Sequence, residues 1–287
     1  MIGRARTNGA ISIVNALFDG TGGAVGIDLP LEIDVESDPA AGATGEVRIT
    51  PAAFDTPVAR QFIDRLLDGP GGWMPSGLRV RIRSAIPPAC GLKSSSALAT
   101  GLVLALAEAR GRQIPRAEAA RRAAALARAT GQSATGAFDD CLAAVLPGIW
   151  ITDNREDVIL RHDPVPPGLE VVVWIPPGRH APSPELVERF RGHAATTAGR
   201  LARDGRAWEA LTANGIGVES VLGLEPTGSE EFQRAGARAA GVSGLGPARA
   251  IVVEGDRAEP LAEVLQSRPG RVLRVGFARA APDGGTR

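Results

Sequence analysis

A strand pattern, a short loop and a strong helix pattern follow one another without interruption between residues 78 and 110. Leu78–Ile86 alternates apolar residues with arginine, which predicts a strand with one solvated face. Ser94–Arg110 is rich in alanine and leucine, which favours a helix. The loop Pro87–Ser96 (PPACGLKSSS) therefore runs directly into a helix N-terminus, which carries about half a positive charge. This order constrains the fold because it places a loop of small residues at a helix N-terminus, where an anion can bind.

The loop Pro87–Ser96 has the composition of a phosphate-binding loop. Gly91 and the three serines leave little side-chain bulk beside the backbone N–H groups, and serine hydroxyls can cap a helix or bind Mg²⁺. The spacing Gly-x4-Gly-Lys-Ser/Thr is absent, so the loop is not of the Walker A type. Taken alone, the loop is equally consistent with a serine-capped helix that follows a glycine turn.

Lysine occurs once in the chain, at Lys93 in this loop, and every other Lys or Arg position is arginine. The abundance of alanine, glycine, proline and arginine is typical of a GC-rich coding bias, which replaces lysine by arginine wherever a surface charge suffices. A compact ammonium on a flexible stem meets a phosphate differently from a planar guanidinium. Lys93 is therefore a candidate functional residue, with chance survival as the alternative.

Two further stretches carry residue types that phosphoryl transfer uses. Thr135–Asp140 (TGAFDD) ends in two adjacent carboxylates, which can accept a hydroxyl proton or hold a metal ion, but which also cap helices. Gly241–Pro247 (GVSGLGP) is a glycine-dense turn. It allows close backbone approach to a ligand, although such stretches are often only turns.

The rest of the chain mixes strands and helices. The predicted strands are Ala24–Val35, Glu46–Thr50, Gly148–Asp153, Leu169–Ile175, Ala250–Glu254 and Val272–Ala278. The predicted helices are Thr56–Leu67, Arg116–Thr130, Thr135–Leu146, Glu230–Ala240 and Ala258–Ser267, with Ser183–Leu222 mostly helical. The polar, proline-containing stretch Arg161–Gly168 is the predicted linker. We therefore expect an N-terminal domain over residues 1–165 and a C-terminal domain over residues 166–287.

The composition excludes several classes of function. Basic and acidic side chains balance at 32 each, which argues against nucleic acid or an anionic membrane as partner and favours a small molecule. No signal sequence and no run of about 18 apolar residues occurs, so we expect a cytoplasmic protein with Cys90 and Cys141 as free thiols. No pair of histidines has zinc spacing, and Leu245 replaces the glycine that a serine-hydrolase motif around Ser243 would need.

The three motif stretches, in this order and spacing, resemble the three motifs of the GHMP kinase superfamily, whose founding members phosphorylate galactose, homoserine, mevalonate and phosphomevalonate. Within this superfamily, the sequences of the three motifs most resemble those of the archaeal-type shikimate kinases. Gly26–Leu29 and Thr152–Asn154 are also similar to that family. The resemblance covers nearly the whole chain. It implies an α+β, two-domain fold with a ribosomal protein S5 domain 2-like N-terminal domain and a ferredoxin-like C-terminal domain. It also implies ATP, Mg²⁺ and phosphoryl transfer to a ring hydroxyl of shikimate, a step of aromatic amino-acid biosynthesis.

The resemblance implies roles for individual residues. Asp139 is the expected catalytic carboxylate, with Asp140 supporting it, and Lys93 is the lysine variant of the phosphate loop that this family has in place of glycine. Ser95 or a neighbouring serine is the expected Mg²⁺ ligand. The ATP phosphates are expected along Pro88, Ala89, Cys90, Gly91, Leu92, Lys93, Ser94, Ser95 and Ser96. The expected substrate contacts are Asn8, Ser243 and Gly244.

The substrate pocket is less defined by the sequence. Shikimate carries a carboxylate, so a selective pocket should hold at least one arginine, because a planar guanidinium binds a carboxylate in bidentate fashion. The candidates Arg4, Arg6 and Arg179 lie near glycine or in extended segments, and the sequence does not choose among the many arginines. The polar residues Ser12 and Asn15, like Asn8, could contact substrate hydroxyls or simply cap and turn the chain.

One departure from the family pattern bears on the substrate. The third motif usually reads Gly-Thr-Gly where this chain has Gly244-Leu245-Gly246, so we expect a polar contact to be missing. Two alternatives therefore stay open. One is a kinase of the same superfamily for another cyclitol, homoserine or a mevalonate derivative, and the other is a ligand-binding sensor that has lost catalysis. The oligomeric state is not predicted.

Overall fold

The structure is a computed structural model that describes residues 2–37, 46–68, 77–178, 183–192, 197–224 and 229–279. Its strands are β1 (Ile2–Val14), β2 (Thr21–Ser37), β3 (Glu46–Thr50), β4 (Gly77–Ser84), β5 (Ile149–Asp153), β6 (Val158–Asp163), β7 (Leu169–Ile175), β8 (Ala239–Val242), β9 (Arg249–Glu254) and β10 (Arg271–Val275). Its helices are α1 (Pro57–Leu67), α2 (Ser94–Ala109), α3 (Arg116–Ala129), α4 (Phe138–Val145), α5 (Pro184–Gly192), α6 (Thr197–Arg203), α7 (Ala207–Leu222), α8 (Ser229–Arg234) and α9 (Gly255–Gln266).

The first sheet is organised around the long strand β2. Strand β1 pairs antiparallel with β2 along almost the whole length of β1. Strand β4 pairs antiparallel with the C-terminal end of β2, and β5 pairs antiparallel with its N-terminal end. Strand β3 extends the sheet beyond β4, and β6 extends it beyond β5. The alternation of apolar residues and arginine in β4 gives buried Leu78, Val80 and Ile82 between solvated arginines, as the sequence predicted.

Helices α2 and α4 pack on this sheet, and α3 packs on α2 and α4, so that the three helices and the sheet enclose the main apolar core. Helix α2 packs on β1 and β2 so closely that a Cβ atom on Gly3 would lie 1.9 Å from the Ala105 carbonyl oxygen. At the C-terminal end of β2, Gly101 of α2 leaves room for the Ile33 side chain. The predicted sequence of strand, loop and helix is confirmed, since β4 leads through the loop into α2.

The second sheet contains β10, β7, β9 and β8 in that order, and all neighbouring pairs are antiparallel. Helix α7 packs on β8, where a Cβ atom on Gly215 would lie 2.5 Å from the Gly241 Cα atom. The turn between β8 and β9 holds the third motif stretch. Because α7 also contacts β1, this turn is held against the first sheet. The mixed α+β architecture predicted from the sequence is confirmed.

Two local predictions are wrong. The predicted helix Glu230–Ala240 ends at Arg234, because Ala239 and Ala240 pair with Val252 and Ile251 of β9. The predicted linker Arg161–Gly168 begins too early, because Arg161–Asp163 is the end of β6 and pairs with β5. In both cases pairing with a distant strand overrides the local sequence preference. The domain boundary at residue 165 remains a prediction.

No helix within the described ranges is both long and apolar enough to span a membrane.

Candidate functional site

The loop before α2 turns its carbonyl groups into the protein. Three successive carbonyls accept hydrogen bonds from distant segments: Cys90 from the Ala248 N–H (3.0 Å), Gly91 from the Ser243 hydroxyl (2.8 Å) and Leu92 from the Ala10 N–H (3.2 Å). Positive φ angles at Ala89, Gly91 and Lys93 support this path. The loop is therefore fixed by β1 and by the turn between β8 and β9.

The opposite edge of the loop carries the free donors. In the described part of the chain, the backbone N–H groups of residues 91–96 donate no hydrogen bond to another protein group. Several of them belong to the first turn of α2, where the helix dipole adds positive potential. A run of unpaired N–H groups at a helix N-terminus is an anion-binding arrangement, and phosphate suits it.

The side chains of this loop differ in their access to solvent. Cys90 and Leu92 are buried in the core, so only their backbone can meet a ligand. Ser95 is exposed and Ser94 is half-buried, which leaves both hydroxyls available, whereas Ser96 is buried.

Cys141 lies in α4 and not in the loop. Burial raises the pKa of the Cys141 thiol to about 12, so this cysteine is a packing residue rather than a nucleophile.

Lys93 and Asp140 form an ion pair behind the loop. The Lys93 ammonium lies 3.1 Å from Asp140 Oδ2, and the two side chains are only 12% and 10% exposed. Burial raises the pKa of Asp140, while the Lys93 charge opposes that shift. The second oxygen, Asp140 Oδ1, is buried and has no hydrogen-bond partner among the described residues. This oxygen is available to a bound group.

Asp139 has different partners from Asp140. Its Oδ1 atom accepts a hydrogen bond from Asn154 Nδ2 (2.8 Å), and Asn154 Oδ1 in turn accepts one from the Thr152 hydroxyl (2.7 Å). Asp139 is 4% exposed, and burial together with the neighbouring Asp140 charge raises its pKa to about 7. A carboxylate of this kind is suited to take up a proton near neutral pH.

Gly22 of β2 makes room for this carboxylate. A Cβ atom at position 22 would lie 2.7 Å from Asp139 Oδ1 and 2.7 Å from Asn154 Nδ2. Sequence reasoning did not single out Gly22 and gave no role to Asn154. The similarity of Thr152–Asn154 to the family was the only signal for Asn154, and for Gly22 there was none.

The third motif contacts both β1 and the loop before α2. The Ser243 hydroxyl accepts the Ser12 N–H (3.1 Å) and donates to the Gly91 carbonyl, while the Gly244 N–H donates to the Ser12 hydroxyl (3.0 Å). Asn15 Nδ2 donates to the Gly244 carbonyl (3.1 Å). Ser243 is buried, so its hydroxyl serves these internal bonds and is not free for the predicted substrate contact.

Leu245 has a packing role at the position where the family usually has threonine. Its side chain is half-buried against an apolar cluster that includes Phe18, Phe190 and Val218. The Leu245 side chain therefore helps to pack the turn against helices α5 and α7.

Several predicted substrate residues lie apart from these groups. Asn8 lines a separate cavity with Arg6 and Asp28, and it lies four positions before Ser12 along the strand, a distance of roughly 13 Å. Arg4 and Arg6 form exposed ion pairs with Asp34 and Asp28, at the far end of β1 from Ser12. The structure therefore does not bring them to the aspartate pair. Arg179 lies outside the described residues.

The donors near the loop suit a metal ion shared with a ligand rather than a closed metal cage. Within the described ranges, no group of three or more His, Cys, Asp or Glu side chains could hold a metal ion. The buried, unpartnered Asp140 Oδ1 and the accessible Ser94 and Ser95 hydroxyls are hard oxygen donors. Mg²⁺ is commonly held by one or two such protein donors together with phosphate oxygens and water.

The geometry agrees with comparisons to known proteins. The domain described as "GHMP kinases N terminal domain" matches residues 57–148. A shikimate kinase of Halobacterium salinarum is 37% identical over 281 residues, covering 95% of each chain. A shikimate kinase of Methanothrix thermoacetophila is 34% identical and covers 96% of this chain and 93% of its own length. The crystal structure of Lactococcus lactis galactokinase superposes with a TM-score of 0.72 at 13% identity, covering 96% of this chain and 93% of that one, and shows the shared fold.

Proposed function

The chain belongs to the GHMP kinase superfamily and, within it, to the family of archaeal shikimate kinases, and we propose that it transfers the γ-phosphoryl group of ATP to a ring hydroxyl of shikimate. It is a phosphotransferase with an alcohol acceptor, and its substrate is a small molecule. The products would be shikimate 3-phosphate and ADP. The proposal that the reaction takes place in the cytoplasm rests on the sequence alone.

The phosphates of ATP would bind along residues 91–96. Their unpaired backbone N–H groups and the dipole of α2 favour an anion there. Lys93 belongs to this stretch and would contribute a positive charge to the phosphates while it remains paired with Asp140. Cys90 and Leu92 would take part only through their backbone, since both side chains are buried.

The residues fit a Mg²⁺ ion that arrives with the nucleotide. Asp140 Oδ1 and the hydroxyl of Ser95 or Ser94 would hold it, with phosphate oxygens and water in the remaining positions. When bound, Mg²⁺ supplies charge neutralisation for the phosphate oxygens.

Asp139 would act on the acceptor hydroxyl. It would orient the hydroxyl and accept its proton as the oxygen forms a bond to the γ-phosphorus, while the bond from that phosphorus to the bridging oxygen of ADP breaks. Asn154 would hold the Asp139 carboxylate in position through its 2.8 Å hydrogen bond. The single observation that carries the proposal is this buried carboxylate, which Asn154 holds next to the Lys93–Asp140 pair.

The test is ADP release by the purified protein with Mg-ATP and a panel of alcohols. We expect kcat/KM for shikimate to exceed that for quinate, homoserine and mevalonate by at least about tenfold, with the phosphorylated product identified by mass spectrometry. Asp139→Asn, purified in parallel, controls for contaminating kinases. Faster turnover of another alcohol would assign the chain to a different substrate of the superfamily. Absence of turnover with every alcohol would favour a ligand-binding sensor.

A further inference from the structure

A cavity of about 370 Å³ opens next to the Asp139 side of the site. It is lined by the turn after β1, by Thr135 and by Asn154, the residue whose amide binds Asp139. Three arginines reach this cavity: Arg128, Arg155 and Arg191. A cavity that has a cationic wall and is lined by the residue that holds Asp139 suits an acceptor that carries both a hydroxyl and an anionic group.

Two of the three arginines already have anionic partners. Arg128 binds both carboxylate oxygens of Asp157, and its guanidinium also donates to the carbonyls of Thr135 (3.2 Å) and Asn154 (3.4 Å). Arg191 lies 2.6 Å from Glu188, in an exposed pair on α5. Neither guanidinium is free to neutralise a ligand without losing its partner.

Arg155 differs from both. It is exposed, and within the described residues its guanidinium forms no ion pair and no hydrogen bond. The side chain lies against the backbone of Gly20, where a Cβ atom would be 2.5 Å from Arg155 Nε and 2.8 Å from Cζ. Gly20 has φ +84°, so this close approach is available to glycine at little cost. The guanidinium is thus positioned by packing, and its donors have no partner among the residues that the structure describes.

Arg155 follows directly in the chain the residue that binds Asp139. Asn154 and Arg155 are consecutive, so their Cα atoms lie about 3.8 Å apart. Asn154 turns inward to Asp139, and Arg155 belongs to the wall of the cavity. In shikimate the phosphorylated hydroxyl and the carboxylate sit on ring carbons that are separated by one further carbon. An acceptor that placed this hydroxyl at Asp139 would therefore carry its carboxylate only a short distance away, and Arg155 is the residue next to the one that binds Asp139.

We propose that Arg155 binds the carboxylate of the acceptor and makes the enzyme selective for an acidic alcohol. This inference rests on the proposed function, because it assigns the second anchor of the same substrate. A planar guanidinium with free donors can bind a carboxylate with two parallel hydrogen bonds.

The experiment compares shikimate with its neutral methyl ester in the wild type and in Arg155→Gln. Equilibrium binding is measured by calorimetry, and turnover is measured by ADP release with Mg-ATP. We expect Arg155→Gln to weaken shikimate binding and raise its KM by about 10- to 100-fold, with kcat changed much less. The binding of the ester should be weak in the wild type and unchanged by the substitution.

Two arginine variants serve as controls. Arg191→Gln removes the paired arginine of the same cavity, and Arg48→Gln removes a guanidinium from β3, at the opposite edge of the sheet. Both should leave the preference for acid over ester intact. An equal loss for acid and ester in Arg155→Gln, no loss at all, or a loss of preference in Arg191→Gln would overturn the assignment to Arg155.

The outcomes separate this inference from the proposed function. If the wild type binds shikimate but does not phosphorylate it, the binding data alone decide the role of Arg155, and the proposed function fails. If the wild type phosphorylates shikimate and Arg155→Gln does so with the same KM, the proposed function stands and the inference fails. If the wild type binds neither the acid nor the ester, both are overturned.

Discussion

The Lys93 ammonium lies 3.1 Å from Asp140 Oδ2, so the single lysine of the chain is paired with the second aspartate of the pair and not with the first. This pairing divides the two neighbouring carboxylates by role. Asp140 pairs with the Lys93 ammonium of the phosphate loop, and Asp139 accepts a hydrogen bond from the neutral amide of Asn154. Each role leads to a separate prediction.

Breaking the Lys93–Asp140 pair should cost more stability than removing both charges. Both side chains are about nine-tenths buried, and an unpaired charge at such a position typically costs about 3–5 kcal/mol. We expect Lys93→Met to lower the free energy of urea unfolding by roughly that amount, and the double variant Lys93→Met/Asp140→Asn to recover most of it. The double variant should remain inactive. Equal stability of the single and double variants would show that the pair is not coupled.

Asp139→Asn should abolish most of the turnover and leave the fold intact. The amide keeps an oxygen that can accept from Asn154, but it cannot take a proton from the acceptor. We expect kcat to fall by about 10²- to 10⁴-fold while the KM values for ATP and shikimate change little. Steady-state kinetics and a circular dichroism spectrum check both parts. Near-normal kcat would remove Asp139 from its assigned role.

The pH dependence should carry the signature of Asp139. Since the base must be ionised, kcat/KM is expected to rise with pH through an acid limb near the Asp139 pKa of about 7. Stability should change in the opposite sense. Between the unfolded pKa of 3.8 and the native value of about 7, the native state keeps a proton that the unfolded chain has released, so the free energy of unfolding falls as pH rises.

The variant Asp139→Asn tests this assignment of the pH dependence. It lacks the titrating group, so it should lose part of the downward slope of stability between pH 4 and 7 and gain stability relative to the wild type at pH 8. Urea unfolding at a series of pH values measures this. An unchanged slope in the variant would assign the titration to another group.

Gly22→Ala should impair catalysis through the position of Asp139. The new Cβ atom would lie 2.7 Å from Asp139 Oδ1 and from Asn154 Nδ2, so the hydrogen bond between them must shift. Misplacement of a reacting group by about 1 Å can reduce kcat about 10²-fold, and we expect a loss of this size. Gly276→Ala is the matched control, because nothing lies within 4 Å of its added Cβ atom. Similar activity of the two variants would show that the space at Gly22 is not required.

Ser243→Ala should weaken ATP binding without touching the nucleotide site directly. The Ser243 hydroxyl joins the Ser12 N–H to the Gly91 carbonyl, and its loss leaves buried groups unsatisfied at a cost of about 1–3 kcal/mol. We expect a lower melting temperature and a higher KM for ATP. Ser267→Ala removes a hydroxyl that bonds only locally, to the Val264 carbonyl, and should change neither. An unchanged KM for ATP in Ser243→Ala would mean that this bond does not position the loop.

The parts of the site that are local in sequence could be predicted, and those that depend on long-range contacts could not. The loop before α2 and the aspartate pair are short stretches with a chemical signature of their own. By contrast, Ser12 and Ser243 are 231 residues apart, and only the folded chain shows that they bind each other. A role for Gly22 could not be predicted, because the sequence does not show which side chains occupy the space beside a glycine in a strand.

The same physical reason explains the errors in the fold. Ala239 and Ala240 have the composition of a helix end, yet they form a strand because β9 offers them backbone partners. Asn8 lines a different cavity from the one that Asn154 lines, and its contact with the substrate stays a prediction. Among the arginines, the sequence could not distinguish those with partners from Arg155, because ion pairing is a property of the folded structure.

The carbonyls of Cys90 and Gly91 accept hydrogen bonds from Ala248 and Ser243 in the turn between β8 and β9, and the carbonyl of Leu92 accepts one from Ala10 of β1. Separation of β1 from this turn would break the hydrogen bonds that hold the loop. A nucleotide that binds the loop consequently stabilises the whole chain, through the linkage between binding and folding. Thermal unfolding in the presence of ATP should then remain one cooperative transition, shifted as a unit to higher temperature.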